Sequence, residues 1–372
     1  MSATRRVLRV FLLLALLASL GGVYLFYRLE HPALPAVPAP RVRMVFRPGT
    51  PTTRIFQRLE KAGVVRDARL AEIYYRLYRS GSPLQAGEYL FSRPMPIDEI
   101  INRMARGEVV QYSIVVPEGL TAEETFELFW SQGIGGPEAF RQALADSELL
   151  PGLTNGVTDL EGFLFPETYV VTRSTSARQI VDRMVGEFRK NFTPEMRDKA
   201  RELGFTPRQA VTLASIIEKE SAIKSEGPLI AAVYISRLKK RMRLQADPTV
   251  AYAMKRDGQW TGMLLRGDYT YDSPYNTYTN DGLPPGPICN PGLAALKAAV
   301  APANVDYLYF VADTTGGHKF TRTFEEHLEA IAAARRLRVA AAEKHPRPAP
   351  PPVDHPRPAP PPTPHPTSAP SL

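Results

Sequence analysis

The sequence predicts an α+β protein carried on a single N-terminal membrane-spanning helix, with a small α+β module, a larger α+β domain and a disordered proline-rich C-terminal tail. Three observations carry this. An uncharged apolar run lies near the N-terminus, helix-period and strand-period segments alternate through residues 41–342, and proline-dense segments bound that region on both sides. At 372 residues, 44% apolar and 23% charged, the chain has room for about two folded domains with ordinary cores.

Val10 to Tyr27 holds no formal charge. At 1.5 Å per residue it spans about 27 Å, enough to cross a bilayer core. Arg5, Arg6 and Arg9 precede it, whereas only Arg28 and Glu30 follow closely. That bias places residues 1–9 in the cytoplasm, 10–27 in the membrane and the rest outside, in the periplasmic or extracytoplasmic space. The run continues well past the small residues Ala15 and Ala18, so a retained anchor in the inner (plasma) membrane is expected rather than a cleaved signal peptide. Residues 28–40 read as a proline-rich linker. Residues 343–372 repeat His-Pro-Arg-Pro-Ala-Pro-Pro-Pro from His345 and again from His355, a solvated tail with almost nothing to bury.

The small module is read over 41–112. Val42–Phe46 alternates as a strand, Thr53–Ala62 and Ala68–Tyr78 have helical spacing, Gly87–Phe91 is a second strand and Pro96–Gly107 a third helix. The larger domain is read over 113–342, after a strand beginning at Tyr112. Helices are expected at Ala122–Gln132, Pro137–Ala145 and Ser176–Asn191. Another starts at Thr206-Pro-Arg-Gln209, where Thr supplies the N-cap, Pro the first turn and Gln the reciprocal cap bond. Beyond it come a helix over Gly227–Lys239, a loop-rich stretch over Leu244–Pro291, a helix over Leu293–Val300 and a strand over Tyr307–Val311.

The net charge of +8 and pI near 9.5 suit an anionic partner. The basic residues are dispersed, without a helix-turn-helix, zinc-finger or RNA-binding signature, so no nucleic acid is expected as partner. A single cysteine, Cys289, excludes an internal disulfide framework and a multi-cysteine metal site. No phosphate loop, dinucleotide fingerprint, His-Glu-x-x-His pair or Gly-x-Ser-x-Gly elbow occurs, and neither metal nor cofactor is expected.

One acid breaks a pattern. In the helix capped by Thr206, Glu220 falls about 20° from Leu213 and about 60° from Ile217, whereas Glu218 lies about 140° from Leu213. Glu220 therefore interrupts the apolar stripe. A carboxyl held against apolar surface has its charged form disfavoured, the tuning a general acid requires. The bland alternative is a Glu paired with Lys219 or Lys224, or one at a fraying helix end. Downstream, Leu244-Gln-Ala-Asp-Pro-Thr249 and Ser273-Pro-Tyr-Asn-Thr-Tyr278 supply amides, hydroxyls and phenols that suit a sugar and equally suit structural turns.

Met242-Arg-Leu-Gln-Ala-Asp-Pro-Thr-Val250 and Ser273–Tyr278, with Ala214-Ser-Ile-Ile-Glu-Lys-Glu220, Glu161-Gly-Phe-Leu-Phe-Pro-Glu-Thr-Tyr169, Gly282-Leu-Pro-Pro-Gly-Pro-Ile-Cys-Asn-Pro-Gly292 and Leu308-Tyr-Phe-Val-Ala312, resemble the endolytic murein transglycosylases of the YceG-like, MltG-type family. The resemblance covers Val42 to about Ala333. It implies a LysM-like module at 41–112, a catalytic domain at 113–342, and Glu220 as the catalytic acid. The implied reaction cleaves the β-1,4 bond between N-acetylmuramic acid and N-acetylglucosamine inside peptidoglycan strands, leaving 1,6-anhydro ends. The implied role is ending nascent strands beside peptidoglycan synthases or division proteins. Candidate substrate-binding residues are Glu161, Gln245, Asp247, Tyr275, Asn276 and Thr277. Asp247 equally fits a turn cap before Pro248, and Glu218 a support for its neighbours or a surface charge. Cys289 stands where the family pattern leads one to expect Ala or another small residue. The alternatives are a hydrolytic muramidase using Asp247 or Glu161 as second carboxylate, and a non-enzymatic wall-binding or division scaffold.

Overall fold

The computed structural model describes residues 3–30, 41–91, 95–146, 149–150 and 159–344. Residues 31–40 of the linker read over 28–40, and residues 345–372 of the tail read over 343–372, lie outside these. The described residues form two compact units divided between Leu308 and Tyr309, and they mix helices with short antiparallel strand pairs, an α+β fold.

Helix α1 (Ala3–Glu30) contains the apolar segment Arg6–Tyr27, long and apolar enough to cross a membrane. It runs three residues beyond the expected apolar end, into the start of the expected linker. Strand β1 (Val42–Phe46) then leads to helices α2 (Thr52–Lys61) and α3 (Ala68–Tyr74), strand β2 (Gly87–Phe91) and helix α4 (Ile97–Ala105). β1 and β2 pair antiparallel with Val42 opposite Phe91 and Phe46 opposite Gly87. Asp67 caps α3 by accepting from the amides of Arg69 and Leu70, which closes two of the four amides that a helix start leaves open. A π-helical turn, Tyr75–Arg79, continues α3 in place of the expected regular helix. Leu77, which fits the apolar spacing, is therefore exposed. The sheet and its helices enclose a core drawn from residues 44–104, including Phe46, Phe56, Leu59, Tyr89, Phe91 and Ile101.

The remainder of the first unit is built on strand β3 (Tyr112–Val115), helices α5 (Ala122–Trp130) and α6 (Pro137–Leu144), strand β4 (Thr168–Val171), and helices α7 (Ala177–Asn191), α8 (Pro194–Glu202), α9 (Pro207–Glu220), α10 (Gly227–Lys239), α11 (Asp247–Arg256) and α12 (Leu293–Val300). β3 and β4 pair antiparallel. Reciprocal capping boxes open α5, α7 and α9. α9 is the centre of this part: every residue from Ala210 to Ile217 is buried, and α8, α10, α11 and α12 pack around it. A helix enclosed this way shows no clean polar face, because its partners cover all sides.

The second unit holds strands β5 (Tyr309–Ala312) and β6 (His318–Thr321), paired antiparallel, and helix α13 (Phe324–Lys344) packed on that hairpin. The strand expected from Tyr307 begins two residues later, and β6 and α13 lie where the sequence pattern predicts no element. The stretch read as loop over 244–291 contains α11. Pro248 sits in the first turn of α11, where its missing amide costs nothing.

Candidate active site

The capping box at Thr206 fixes where α9 starts, and fourteen residues later the helix ends at Glu220, where Ser221 turns to an extended conformation. Glu220 thus stands where a buried helix reaches the surface, and its side chain is half-buried. Tyr234, 2% exposed in the middle of α10, donates its hydroxyl to Glu220 Oε1 at 3.0 Å. Burial, and then the charge of Glu220, push the Tyr234 phenol well above its ordinary value. It therefore stays protonated and remains a donor.

One turn along α10, Arg237 organises the next segment. Its guanidinium donates to the carbonyls of Leu308 (2.8 Å), Leu244 (2.9 Å) and Arg243 (3.2 Å), and reaches Gln245 Oε1 at 3.4 Å. Gln245 is held with a positive φ of 51°, a conformation disfavoured for a residue with a Cβ. Its amide donates to Thr277 O. Asp247, exposed at the first position of α11, accepts from the Tyr278 hydroxyl at 2.5 Å and from Tyr269 at 3.5 Å. It does not cap the helix; Ala246 occupies the cap position without a side-chain bond. The Tyr269 and Tyr278 rings lie 4.6 Å apart. The Tyr278 phenol is raised by burial first, then by Asp247, with Glu220 among the further causes. Glu220, Tyr234, Tyr278, Asp247 and Tyr269 therefore form one polar neighbourhood of an acid, an exposed carboxylate and three phenols.

The other four binding candidates are buried and hold the loops together. Asn276 donates to the carbonyls of Tyr269 and Tyr271 and accepts from the Tyr278 amide, so it shapes the turn that presents Tyr278. Thr277 Oγ1 accepts from the Ala246 amide and contacts Thr249 Oγ1. Tyr275 packs its ring 5.0 Å from that of Tyr252, with the Arg256 guanidinium 5.4 Å from its centroid. Glu161 is 8% exposed and accepts from the first amide of α5, Ala122, at 3.0 Å and 3.2 Å. Burial pushes its carboxyl up to about 8, against the opposing pull of that amide. Glu161 is thus tied to α5 and Tyr252, while Gln245 and Asp247 are the two candidates exposed beside the phenol cluster.

Glu218 proves to be a support. It accepts from the amide of Gly292 at 3.0 Å, at the cap position of α12, and its carboxyl is raised chiefly by burial. Asn290 is a residue that sequence reasoning missed. Its Oδ1 accepts from the amides of Gly162 and Leu164 while its Nδ2 donates to Leu120 O, which joins three chain-distant loops. Gly162, at φ 85°, leaves no room there: a Cβ would fall 2.3 Å from Pro287. Tyr234 was also missed, although a phenol inside the apolar run Leu229–Ile235 is a signal in itself, since a buried hydroxyl needs a partner. A cavity of about 470 Å³ lies away from Glu220, against α7, α8 and α12, and is lined by Lys190, Lys199 and Lys297 among others. Among the described residues no group of three or more His, Cys, Asp or Glu is placed to hold a metal ion.

The profile of the YceG-like family matches residues 44–333. The endolytic murein transglycosylase of Bacillus subtilis strain 168 is 33% identical over 298 residues, 76% of this chain and 81% of that protein. The endolytic murein transglycosylase of Streptococcus pneumoniae serotype 2 strain D39 is 30% identical over 347 residues. That match takes in 85% of this chain but 62% of the pneumococcal protein, so the chain spans under two thirds of that relative. A crystal structure of a YceG-like protein from Listeria monocytogenes aligns over 78% of this chain and 99% of its own, at 33% identity and a TM-score of 0.49.

Proposed function

This chain belongs to the YceG-like family, and from that premise we propose that it is an endolytic lytic transglycosylase, an enzyme that cuts peptidoglycan strands internally and leaves 1,6-anhydro-N-acetylmuramic acid ends. The observation that carries the reading is Glu220. It ends a helix enclosed on all sides, its Oε1 is held by the buried Tyr234, and exposed sugar-compatible groups neighbour it. The relatives named endolytic murein transglycosylase support the substrate class.

In the proposed reaction the Glu220 carboxyl gives its proton to the bridging oxygen as the bond from the muramyl C1 to that oxygen breaks. The same carboxylate then takes the proton of the muramyl C6 hydroxyl, whose oxygen closes on C1. No water is consumed and the acid is regenerated. A glycoside hydrolase uses a second carboxylate as nucleophile or base; an internal hydroxyl makes one acid sufficient. Tyr234 orients the carboxyl, and Gln245 and Asp247 are the proposed contacts to sugar hydroxyls. Glu161, Tyr275, Asn276 and Thr277 serve by shaping the loops that present them.

Residues 10–27 anchor the chain in the inner membrane in this reading, with the active site outside the cytoplasm. Residues 41–112 form a LysM-like module, 113–342 the catalytic part and 343–372 a proline-rich tail. The biological consequence would be termination of nascent strands beside synthases or division proteins. Mass spectrometry of digested glycan tests the chemistry. Anhydro ends are expected, and reducing ends alone would establish a hydrolase instead. Glu220→Gln should lower turnover by at least ~10²-fold; parental activity in that variant would remove Glu220 from the reaction.

A further inference from the structure

The small module carries an exposed apolar patch at one end. Ile73, Leu77 and Tyr78 are 52%, 70% and 69% exposed, and at spacings of four and five residues they share one side of α3 and its π-helical extension. Exposed Arg66, Arg69 and Arg76 accompany them on the same stretch; Arg76 also pairs with Glu72 at 2.6 Å. Apolar and aromatic side chains interleaved with arginine are the composition of a helix lying in a membrane interface.

The position of this patch says what covers it. α1 packs against α3 and α4, and the ring of Phe26 lies 6.4 Å from that of Tyr74. Phe26 belongs to the apolar segment Arg6–Tyr27, one residue short of its end. A side chain that touches Phe26 is therefore at the edge of the hydrocarbon whenever α1 spans a bilayer. Tyr74 in turn lies 5.2 Å, ring to ring, from Tyr78, so the exposed patch continues outward from a contact already at lipid depth.

We propose that Ile73, Leu77 and Tyr78 insert into the interfacial layer of the membrane that α1 spans, with Arg66 and Arg69 against anionic lipid headgroups, so that the small module lies on the bilayer. The proposal rests on the reading of α1 as a membrane anchor. Its consequence is that the module has a fixed orientation to the membrane instead of swinging on a tether.

The test uses the full chain carrying Leu77→Cys, labelled with bimane and reconstituted in vesicles of phosphatidylcholine and phosphatidylglycerol, with and without brominated acyl chains. The native Cys289 is fully buried and does not compete for the label. Leu77 is exposed, so the substitution leaves the core untouched. The bimane at position 77 is expected to lose most of its fluorescence with brominated lipid, while a label at Lys239→Cys keeps its own. Quenching at position 77 should weaken when phosphatidylglycerol is omitted; unchanged quenching would overturn the assignment of the arginines. Flotation with the vesicles but no selective quenching would overturn the proposal and leave the anchor intact. Failure to float would overturn the anchor itself. If the labelled chain shows no quenching and the unlabelled Leu77→Cys chain forms a disulfide between two copies, the patch belongs to self-association and the proposal is overturned.

Discussion

Replacing Glu161 with Gln removes a carboxyl whose proton is linked to folding. In the folded chain burial holds this group near 8, against an ordinary value of 4.5. Between those two pH values the folded state keeps a proton that the unfolded chain has released. Stability must therefore fall as pH rises from 4.5 to about 8, and level off above that. The gap corresponds to roughly 5 kcal/mol once both states are ionised. The Glu161→Gln side chain would retain an acceptor for the Ala122 amide but carry no titrating proton, so the variant should lack this slope. At pH 9 it should melt on the order of 10 °C above the parent, whereas near pH 4 the two should unfold together. Thermal melts of the detergent-solubilised full chain at pH 4, 6, 7.5 and 9 give the comparison. Glycan digestion at pH 6 supplies the second readout, with an unchanged KM expected because Glu161 is tied to α5 rather than exposed to substrate. Parallel pH slopes in parent and variant would refute the linkage argument, and a large rise in KM would return Glu161 to the binding surface.

Three further outcomes follow from the same geometry. Tyr234→Phe keeps the buried ring and deletes the 3.0 Å bond to Glu220; a hydrogen bond to a charged group is worth about 1.5–3 kcal/mol, so kcat should drop about 10- to 100-fold with KM held. Asp247→Asn should raise KM about 3- to 10-fold with little change in kcat if the group only binds a sugar hydroxyl. A collapse of kcat would instead favour a two-carboxylate hydrolase, and steady-state kinetics on a defined glycan separates the two. Gly162→Ala meets both a left-handed backbone and Pro287 at 2.3 Å. It should cost about 3 kcal/mol or more, read as a lowered denaturation midpoint in urea.

Local signals were legible wherever they were self-contained. The Thr206 box, the helix read over Ser176–Asn191, the β1 and β2 limits and the span Gly227–Lys239 all announce themselves within a few residues, and the structure has each within one residue of where the sequence placed it. α11 was hidden because its opening Asp-Pro-Thr reads as turn chemistry, and the apolar residues behind it, Val250 to Met254, form one short continuous run with no helical period of its own. The helical wheel separates Glu220 from Glu218, and the two do meet different partners: one reaches the Tyr234 hydroxyl, the other the Gly292 amide. It could not distinguish a loop residue that faces solvent from one that builds the loop. Asn276 and Asp247 look alike as polar loop side chains, yet one commits its amide to backbone groups and the other stands exposed. That difference is set by contacts between segments some thirty residues apart, such as Ala246 with Thr277, and no short window contains it.

Cys289 carries a consequence of a different kind. It lies fully buried, donating to Ser215 O at 3.3 Å, and burial pushes its thiol far up. In an oxidising compartment the thiolate is the species that forms mixed disulfides. The native chain offers almost none of it and no access to it, so oxidative pairing is a hazard confined to the interval before the core closes around α9. A thiol-reactive reagent applied to the native protein would then report the rate at which that core opens, and the solitary sulfur doubles as a clock for unfolding.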